Sequence, residues 1–212
     1  MSKKQIFDRK PLIYLITEGD AAMPNFPEKS AQILNLIKIA AQNKISFVQI
    51  REKNLSARLV FELAAKAVKI TRNSKTKILV NDRADIALAA SADGVHLTSA
   101  SLSAKTISQN FPREFIVGVS AHTIEEAEKA KSEGADFATL SPIFATPEKG
   151  LPKGLDALRE VCEKLKPFPV IALGGVDETN FKSVLENGAS GFAAIRFLNK
   201  AENLRKLTAD LR

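Results

Sequence analysis

Residues 77–97 read KILVNDRADIALAASADGVHL, and the reading of this stretch decides the fold. Ile78, Leu79 and Val80 form a short apolar run, and Asn81, Asp82 and Arg83 follow with no spacer. Residues 84–90 have helical composition, and residues 94–97 are apolar again. Uninterrupted short apolar runs are what strands buried on both faces look like, because helices cover a parallel sheet above and below. The stretch is therefore strand, helix, strand. Its polar residues sit where the first strand ends, which is where α/β folds place chemistry.

The same grammar recurs along the chain. Strands are expected at 12–17, 46–50, 77–80, 94–97, 115–120, 137–143, 169–173 and 191–197. Helices are expected at 31–42, 57–70, 84–90, 103–110, 124–133, 155–165, 178–186 and 201–211, with residues 18–29 as a Pro-containing polar loop. Ser103 and Thr123 are plausible N-caps, Glu126 stands in the capping-box position, and Gly134 suits a helix C-terminus. Regular strand–helix alternation means a parallel sheet, and eight units favour an α/β fold of the closed (β/α)8 TIM barrel type. A single domain over residues 1–212 is expected, with its core at about 12–198 and a C-terminal helix to 212. An open doubly wound sheet would need a phosphate loop after an early strand, and neither G-x-G-x-x-G nor a Walker A pattern is present.

The chain has 212 residues and is 45% hydrophobic, enough for one sizeable core. A formal charge of +7 is compatible with nucleic acid, an anionic surface or phosphorylated small molecules. The lysines are dispersed among acids and aromatics are only 6%, which disfavours a nucleic-acid face. No apolar run approaches bilayer length, and the basic start MSKKQIFDRKP has no apolar segment of the signal-peptide kind behind it, so a cytoplasmic protein is expected. The single cysteine, Cys162, excludes an internal disulfide and reads as a small core residue. Small phosphorylated substrates are the expected partners, with no nucleic acid and no membrane; a homo-oligomer stays open.

Residues just past the strands carry the candidate chemistry, since a barrel brings those segments to one rim. Arg51 and Lys53 lie two apart on an extended chain, so both side chains leave on one face. Arg can clamp a phosphate through two N–H groups while Lys acts as a point charge, although an ion-paired strand end is an equal reading. Asp82 is either a helix N-cap or one of the carboxylates by which Mg²⁺ is held beside substrate phosphates. Gly174 and Gly175 end a strand ahead of a helix and could let backbone amides approach a phosphate, or simply make a tight turn. His96, inside a strand, reads as a hydrogen-bonded core residue. His122, just past a strand, is better placed for proton transfer. No His/Cys/Asp cluster has zinc spacing.

Taken together, VQIREK (48–53), NDRADIALAASADGVHL (81–97), VGVSAHTIEEA (117–127), SPIFATPEKG (141–150) and IALGGV (171–176) resemble the thiamine phosphate synthase family, which includes the related thiazole tautomerases. The resemblance runs from about Leu12 to Phe197, with the motifs in order. It implies a (β/α)8 barrel whose synthases join a hydroxymethylpyrimidine diphosphate to a thiazole phosphate, releasing pyrophosphate with Mg²⁺. By the same resemblance Gln49, Arg51, Lys53, Asn81, Ser120 and Lys149 would hold the pyrimidine diphosphate. Asp82 would bind the Mg²⁺ ion. Thr146, Glu148, Gly174, Gly175, Ile195 and Arg196 would lie at the thiazole phosphate. Arg51, Lys53, Lys149 and His122 are the catalytic candidates.

Three positions depart from the pattern. The second metal carboxylate is Ser101, which weakens the expected site for one Mg²⁺. The T-x-T-K motif reads Thr146-Pro147-Glu148-Lys149, and Arg196 replaces the usual serine after the last strand. The tautomerases place a histidine where His122 stands, as many synthases also do. Retention of Gln49, Arg51, Lys53, Asn81, Asp82 and Lys149 favours the synthase over the tautomerase or a non-catalytic barrel.

Overall fold

The computed structural model describes residues 3–9, 11–147 and 150–210, with residues 208–210 described by backbone alone. Eight parallel strands pair in chain order as a closed barrel. They are β1 (Leu12–Ile16), β2 (Phe47–Ile50), β3 (Lys77–Asn81), β4 (Gly94–Leu97), β5 (Ile116–Ala121), β6 (Phe137–Leu140), β7 (Val170–Leu173) and β8 (Gly191–Ala194). Helices alternate with them: α1 (Lys3–Phe7) precedes β1, and α2 (Phe26–Gln42), α3 (Ala57–Thr71), α4 (Ala84–Ala89), α5 (Ala104–Asn110), α6 (Ile124–Ser132), α7 (Gly154–Leu165), α8 (Phe181–Glu186) and α9 (Ala201–Asp210) follow β1 to β8 in turn. This is the expected (β/α)8 arrangement, and the opening stretch supplies β3, α4 and β4. No helix among the described residues is long and apolar enough to cross a membrane.

The chain divides into two compact units. The first holds Tyr14–Val95 with Ile195–Arg212. Its strands pair in register, Tyr14 with Phe47 and Phe47 with Lys77, so the apolar runs LIYLI, FVQI and ILV lie side by side. All five residues of β1 and all four of β2 are buried, as strands covered on both faces must be. On α3 the buried residues are Val60, Leu63, Ala64, Ala67 and Thr71, one stripe at helical spacing, and Ser56 caps the helix by accepting the Leu59 amide.

The second unit holds Met1–Ile13 with His96–Ala194. Gly118 pairs with Phe137, Ala138 with Val170 and Ile171 with Gly191. A side chain on Gly118 would stand 2.4 Å from the Phe137 ring and 2.8 Å from His96, so glycine there makes room for both. On α7 the buried stripe is Leu158, Val161, Cys162 and Leu165. Burying side chains of this size contributes roughly 1.5–3 kcal/mol each, and Cys162 is the core residue it was expected to be. Ser103 and Thr123 cap α5 and α6, and Gly134 follows α6 with φ 88°. Glu126 departs from a strict capping box, since its carboxylate accepts the His122 amide.

Several elements differ from the sequence expectation; strand β6, expected to run to 143, stops at Leu140. Helix α2 starts at Phe26, because Pro27 falls in its first turn, where the missing N–H has no intrahelical acceptor to lose. Helix α1 was not expected; Phe7 packs on Phe137 with ring centroids 6.0 Å apart, and Lys3 bonds Asp136 at 2.8 Å. Burial pushes the Asp136 carboxyl above its ordinary value, while Lys3 and the Val117 amide pull the other way. Strand β8 stops at Ala194, so Ile195 and Arg196 lie in the turn beyond it. Helix α8 begins at Phe181 rather than 178, because the Thr179 amide and hydroxyl both bond the Asp177 carboxylate and hold that segment as a turn.

Candidate active site

In the first unit the candidate residues lie at or just past the ends of β2, β3 and β8. Gln49 is 1% exposed, and its amide donates to the Tyr14 hydroxyl at 2.7 Å. Burial pushes the Tyr14 phenol far above its ordinary value, so it stays a neutral hydroxyl with one proton to donate. The Tyr14 ring stands edge-on to Phe47 at 5.6 Å, which fixes the phenol direction. Sequence reasoning missed Tyr14, although a lone tyrosine inside an apolar strand signals a hydroxyl in need of a partner.

Arg51 is half-buried just beyond β2, and its amide donates to Thr17 Oγ1 at 2.9 Å. Lys53 is exposed in the following turn. Asn81 closes β3 and its carbonyl accepts the Arg83 amide at 2.7 Å. Asp82 is exposed with φ 64°, a left-handed conformation uncommon outside glycine, Asn and Asp. The N-cap of α4 is Arg83, whose side chain pairs with Asp85 instead of capping. Asp82 therefore stands one residue before the cap, with its backbone in a conformation of the kind that collects at functional sites. Arg196 is exposed and Ile195 half-buried in the turn after β8. Asn199 secures that turn by donating to the carbonyls of Ile16 and Ile195, each at 2.7 Å.

In the second unit Ser120 is half-buried on β5, its hydroxyl 3.0 Å from His96 Nε2. His96 is 3% exposed and is the core histidine the sequence suggested. His122 is exposed one residue past β5, with Nδ1 2.9 Å from the Ser141 carbonyl. A carbonyl only accepts, so Nδ1 carries the proton and Nε2 is the basic nitrogen. Ser101 Oγ accepts the Thr98 amide at 2.7 Å and lies 3.2 Å from the Thr98 hydroxyl. Thr146 is half-buried, and its hydroxyl donates to the Pro147 carbonyl at 3.1 Å. Glu148 and Lys149 lie outside the described residues.

The glycine pair has a structural reason of its own. Gly174 and Gly175 have φ of 95° and 67°, and side chains there would stand 2.7 Å from the Pro142 Cα and 2.7 Å from the Phe144 Cβ. The pair is therefore packed against residues 142–145, and the Phe144 amide bonds the Gly174 carbonyl at 3.0 Å. Because α8 starts only at Phe181, the expected helix N-terminus does not directly follow the glycines.

Among the described residues no group of three or more His, Cys, Asp or Glu could hold a metal ion. A single carboxylate, Asp82, does fit an Mg²⁺ that arrives on a diphosphate, because that ion keeps its waters and usually takes one or two protein carboxylates.

The model of the thiamine monophosphate synthase family matches residues 13–198. The chain belongs to that family. It is similar to a protein of Aquifex aeolicus named putative thiamine-phosphate synthase 2, 42% identical over 187 residues, which are 87% of this chain and 96% of that one. It is also similar to the thiamine-phosphate synthase of Caldanaerobacter subterraneus, 38% identical over 170 residues and 79% of each chain. Among solved structures, the thiamine phosphate pyrophosphorylase from Pyrococcus furiosus superposes with a TM-score of 0.78 at 29% identity, covering 95% of this chain and 97% of that one. The matched residues 13–198 span nearly all of the stretch over which the resemblance was read.

Proposed function

We propose that this family member is a thiamine phosphate synthase, an alkyl transferase that joins 4-amino-2-methyl-5-(diphosphooxymethyl)pyrimidine to a thiazole phosphate. The bond between the pyrimidinylmethyl carbon and the diphosphate oxygen breaks, and its electron pair leaves with pyrophosphate. The resulting pyrimidinylmethyl cation is stabilised by its ring, and the thiazole nitrogen lone pair closes the new C–N bond. Such a reaction asks little of acid–base groups and much of positive charge on the departing pyrophosphate. The observation that carries the reading is Arg51 at the end of β2, half-buried with its backbone tied to Thr17.

In this reading Gln49 and Asn81 orient the pyrimidine, and Arg51, Lys53, Ser120 and Lys149 bind its diphosphate. Thr146, Glu148, Gly174, Gly175, Ile195 and Arg196 serve the thiazole phosphate. Mg²⁺ bound with the diphosphate would be held by Asp82 and would supply further neutralisation of the leaving group. Ser101 is already committed to Thr98, so it adds no strong ligand and the metal affinity is low. The same reading places the reaction in the cytoplasm. Purified protein given both substrates and millimolar Mg²⁺ is expected to release pyrophosphate and form thiamine phosphate; no product under those conditions overturns the reading. Lys149→Ala removes one cation from the leaving group and is expected to lower turnover roughly tenfold to a hundredfold.

One observation favours a second reading, the thiazole tautomerase. His122 is fixed with Nε2 as its base, which is the form a proton transfer needs. That reading predicts turnover of a thiazole carboxylate phosphate that survives a chelator and is abolished in His122→Ala. Under the synthase reading the His122→Ala variant keeps most of its pyrophosphate release.

A further inference from the structure

The loop after β1 is strapped to residues 49–54. Thr17 donates its amide to the Gln49 carbonyl at 3.0 Å and accepts the Arg51 amide on its hydroxyl at 2.9 Å. Ala22 and Asn54 form an isolated parallel bridge. Between these attachments lies Glu52. One of its carboxylate oxygens accepts the Ala21 amide at 2.9 Å and the other the Gly19 amide at 3.3 Å. Glu52 is 4% exposed and, among the described residues, forms no ion pair. Carboxylates are rarely buried so fully without a cation, and here the loop's own amides satisfy the charge.

What Glu52 holds in place is Gly19. This glycine has φ 83°, and a side chain on it would stand 3.0 Å from the Arg51 carbonyl and 3.3 Å from an Arg51 guanidinium nitrogen. The loop backbone therefore lies close against Arg51, and a methyl group on Gly19 would be strained by its positive φ and would push on the Arg51 carbonyl and guanidinium. A guanidinium walled on one side has fewer rotamers to lose when it engages an anion. In sequence Glu52 is only an acid between the candidate cations Arg51 and Lys53.

We propose that Glu52 is a positioning residue: through the amides of Gly19 and Ala21 it sets the β1 loop against Arg51 and aims the guanidinium at the diphosphate of the substrate. This rests on the assignment of Arg51 to the diphosphate and adds the group that orients it. Glu52→Gln places an NH₂ against an amide donor and releases the loop. Gly19→Ala disturbs the same contact from the other side.

The test measures KM for each substrate separately, and the calorimetric affinity for inorganic pyrophosphate with Mg²⁺, in wild type, Glu52→Gln and Gly19→Ala. Both variants are expected to raise the KM for the pyrimidine diphosphate and the Kd for pyrophosphate roughly tenfold to a hundredfold, while the KM for the thiazole phosphate stays within about twofold. A purely structural role would raise both KM values together or lower only the thermal midpoint, and either result overturns the proposal. So does unchanged pyrophosphate binding in a folded variant, or a wild type that does not bind pyrophosphate. A wild type that binds pyrophosphate but makes no thiamine phosphate removes the synthase reading alone, and the binding arm still decides the role of Glu52.

Discussion

Gly191→Ala is expected to lower stability by about 4 kcal/mol and to leave little folded protein at 37 °C. A side chain at Gly191 would stand 1.9 Å from the Leu12 carbonyl oxygen and 2.6 Å from both the carbonyl carbon and the amide nitrogen of Leu12. All three are backbone atoms, so no rotamer change relieves the clash. Relief requires β1 to move away from β8, yet Leu12 is fully buried and its amide is bonded to the Ser190 carbonyl at 2.9 Å. The substitution therefore trades one ladder bond and part of a packed core against a methyl group. Domains have only about 5–15 kcal/mol to lose, so the fraction is large. The measurement is the urea midpoint of Gly191→Ala beside Gly150→Ala, whose added carbon meets nothing within 4 Å. A Gly191→Ala midpoint equal to that of the Gly150 variant would mean that β1 yields freely at this contact.

The fold was legible because the strands of this barrel are buried on both faces. LIYLI, FVQI and VIAL carry no polar break but Gln49, and apolar runs this short between helical segments have few other readings. What escaped were features decided by partners far away in sequence. Helix α1 has five residues, too few for its own periodicity to show, and its position rests on Phe7 against Phe137 and Lys3 against Asp136. Strand β8 was drawn too long because Ile195 and Phe197 are apolar, whereas the turn there is set by Asn199 bonding back to Ile16. Pro27 reads as a loop residue in sequence, although the first helical turn tolerates proline.

The candidate site was legible as a set of positions and not as a set of contacts. Residue types after the strands pointed to anions, and the motif order pointed to the family. Neither could show that the Asp82 backbone is left-handed, because that conformation is imposed by the β3–α4 turn. Nor could they show that the Gln49 amide donates to Tyr14, or that Ser120 faces His96, since these pairs span 35 and 24 residues. Glu52 is the clearest instance. In sequence it is an acid between two cations, yet in the structure it bonds neither and holds the loop after β1.

Arg51→Ala is expected to lower kcat for thiamine phosphate formation roughly a hundredfold to a thousandfold, and to raise the KM for the pyrimidine diphosphate at least as much as Glu52→Gln does. The leaving pyrophosphate gains charge as the C–O bond breaks, so a cation beside it binds the transition state more tightly than the ground state. Interactions of that kind appear in kcat when removed. Arg51→Lys separates charge from geometry. It keeps a positive group but loses the planar pair of N–H donors, one of whose nitrogens lies beside Gly19, so most of the loss is expected to persist. Recovery of full turnover in the lysine variant would mean that a point charge suffices, and the wall of loop backbone would then serve stability alone. The same variants also separate the two activities. Proton transfer on a thiazole carboxylate phosphate develops no charge on a departing diphosphate, so a tautomerase would leave Arg51→Ala nearly as fast as wild type. A large kcat loss in pyrophosphate release, unaltered by His122→Ala, is the pattern that a leaving-group cation produces and a proton-transfer site does not.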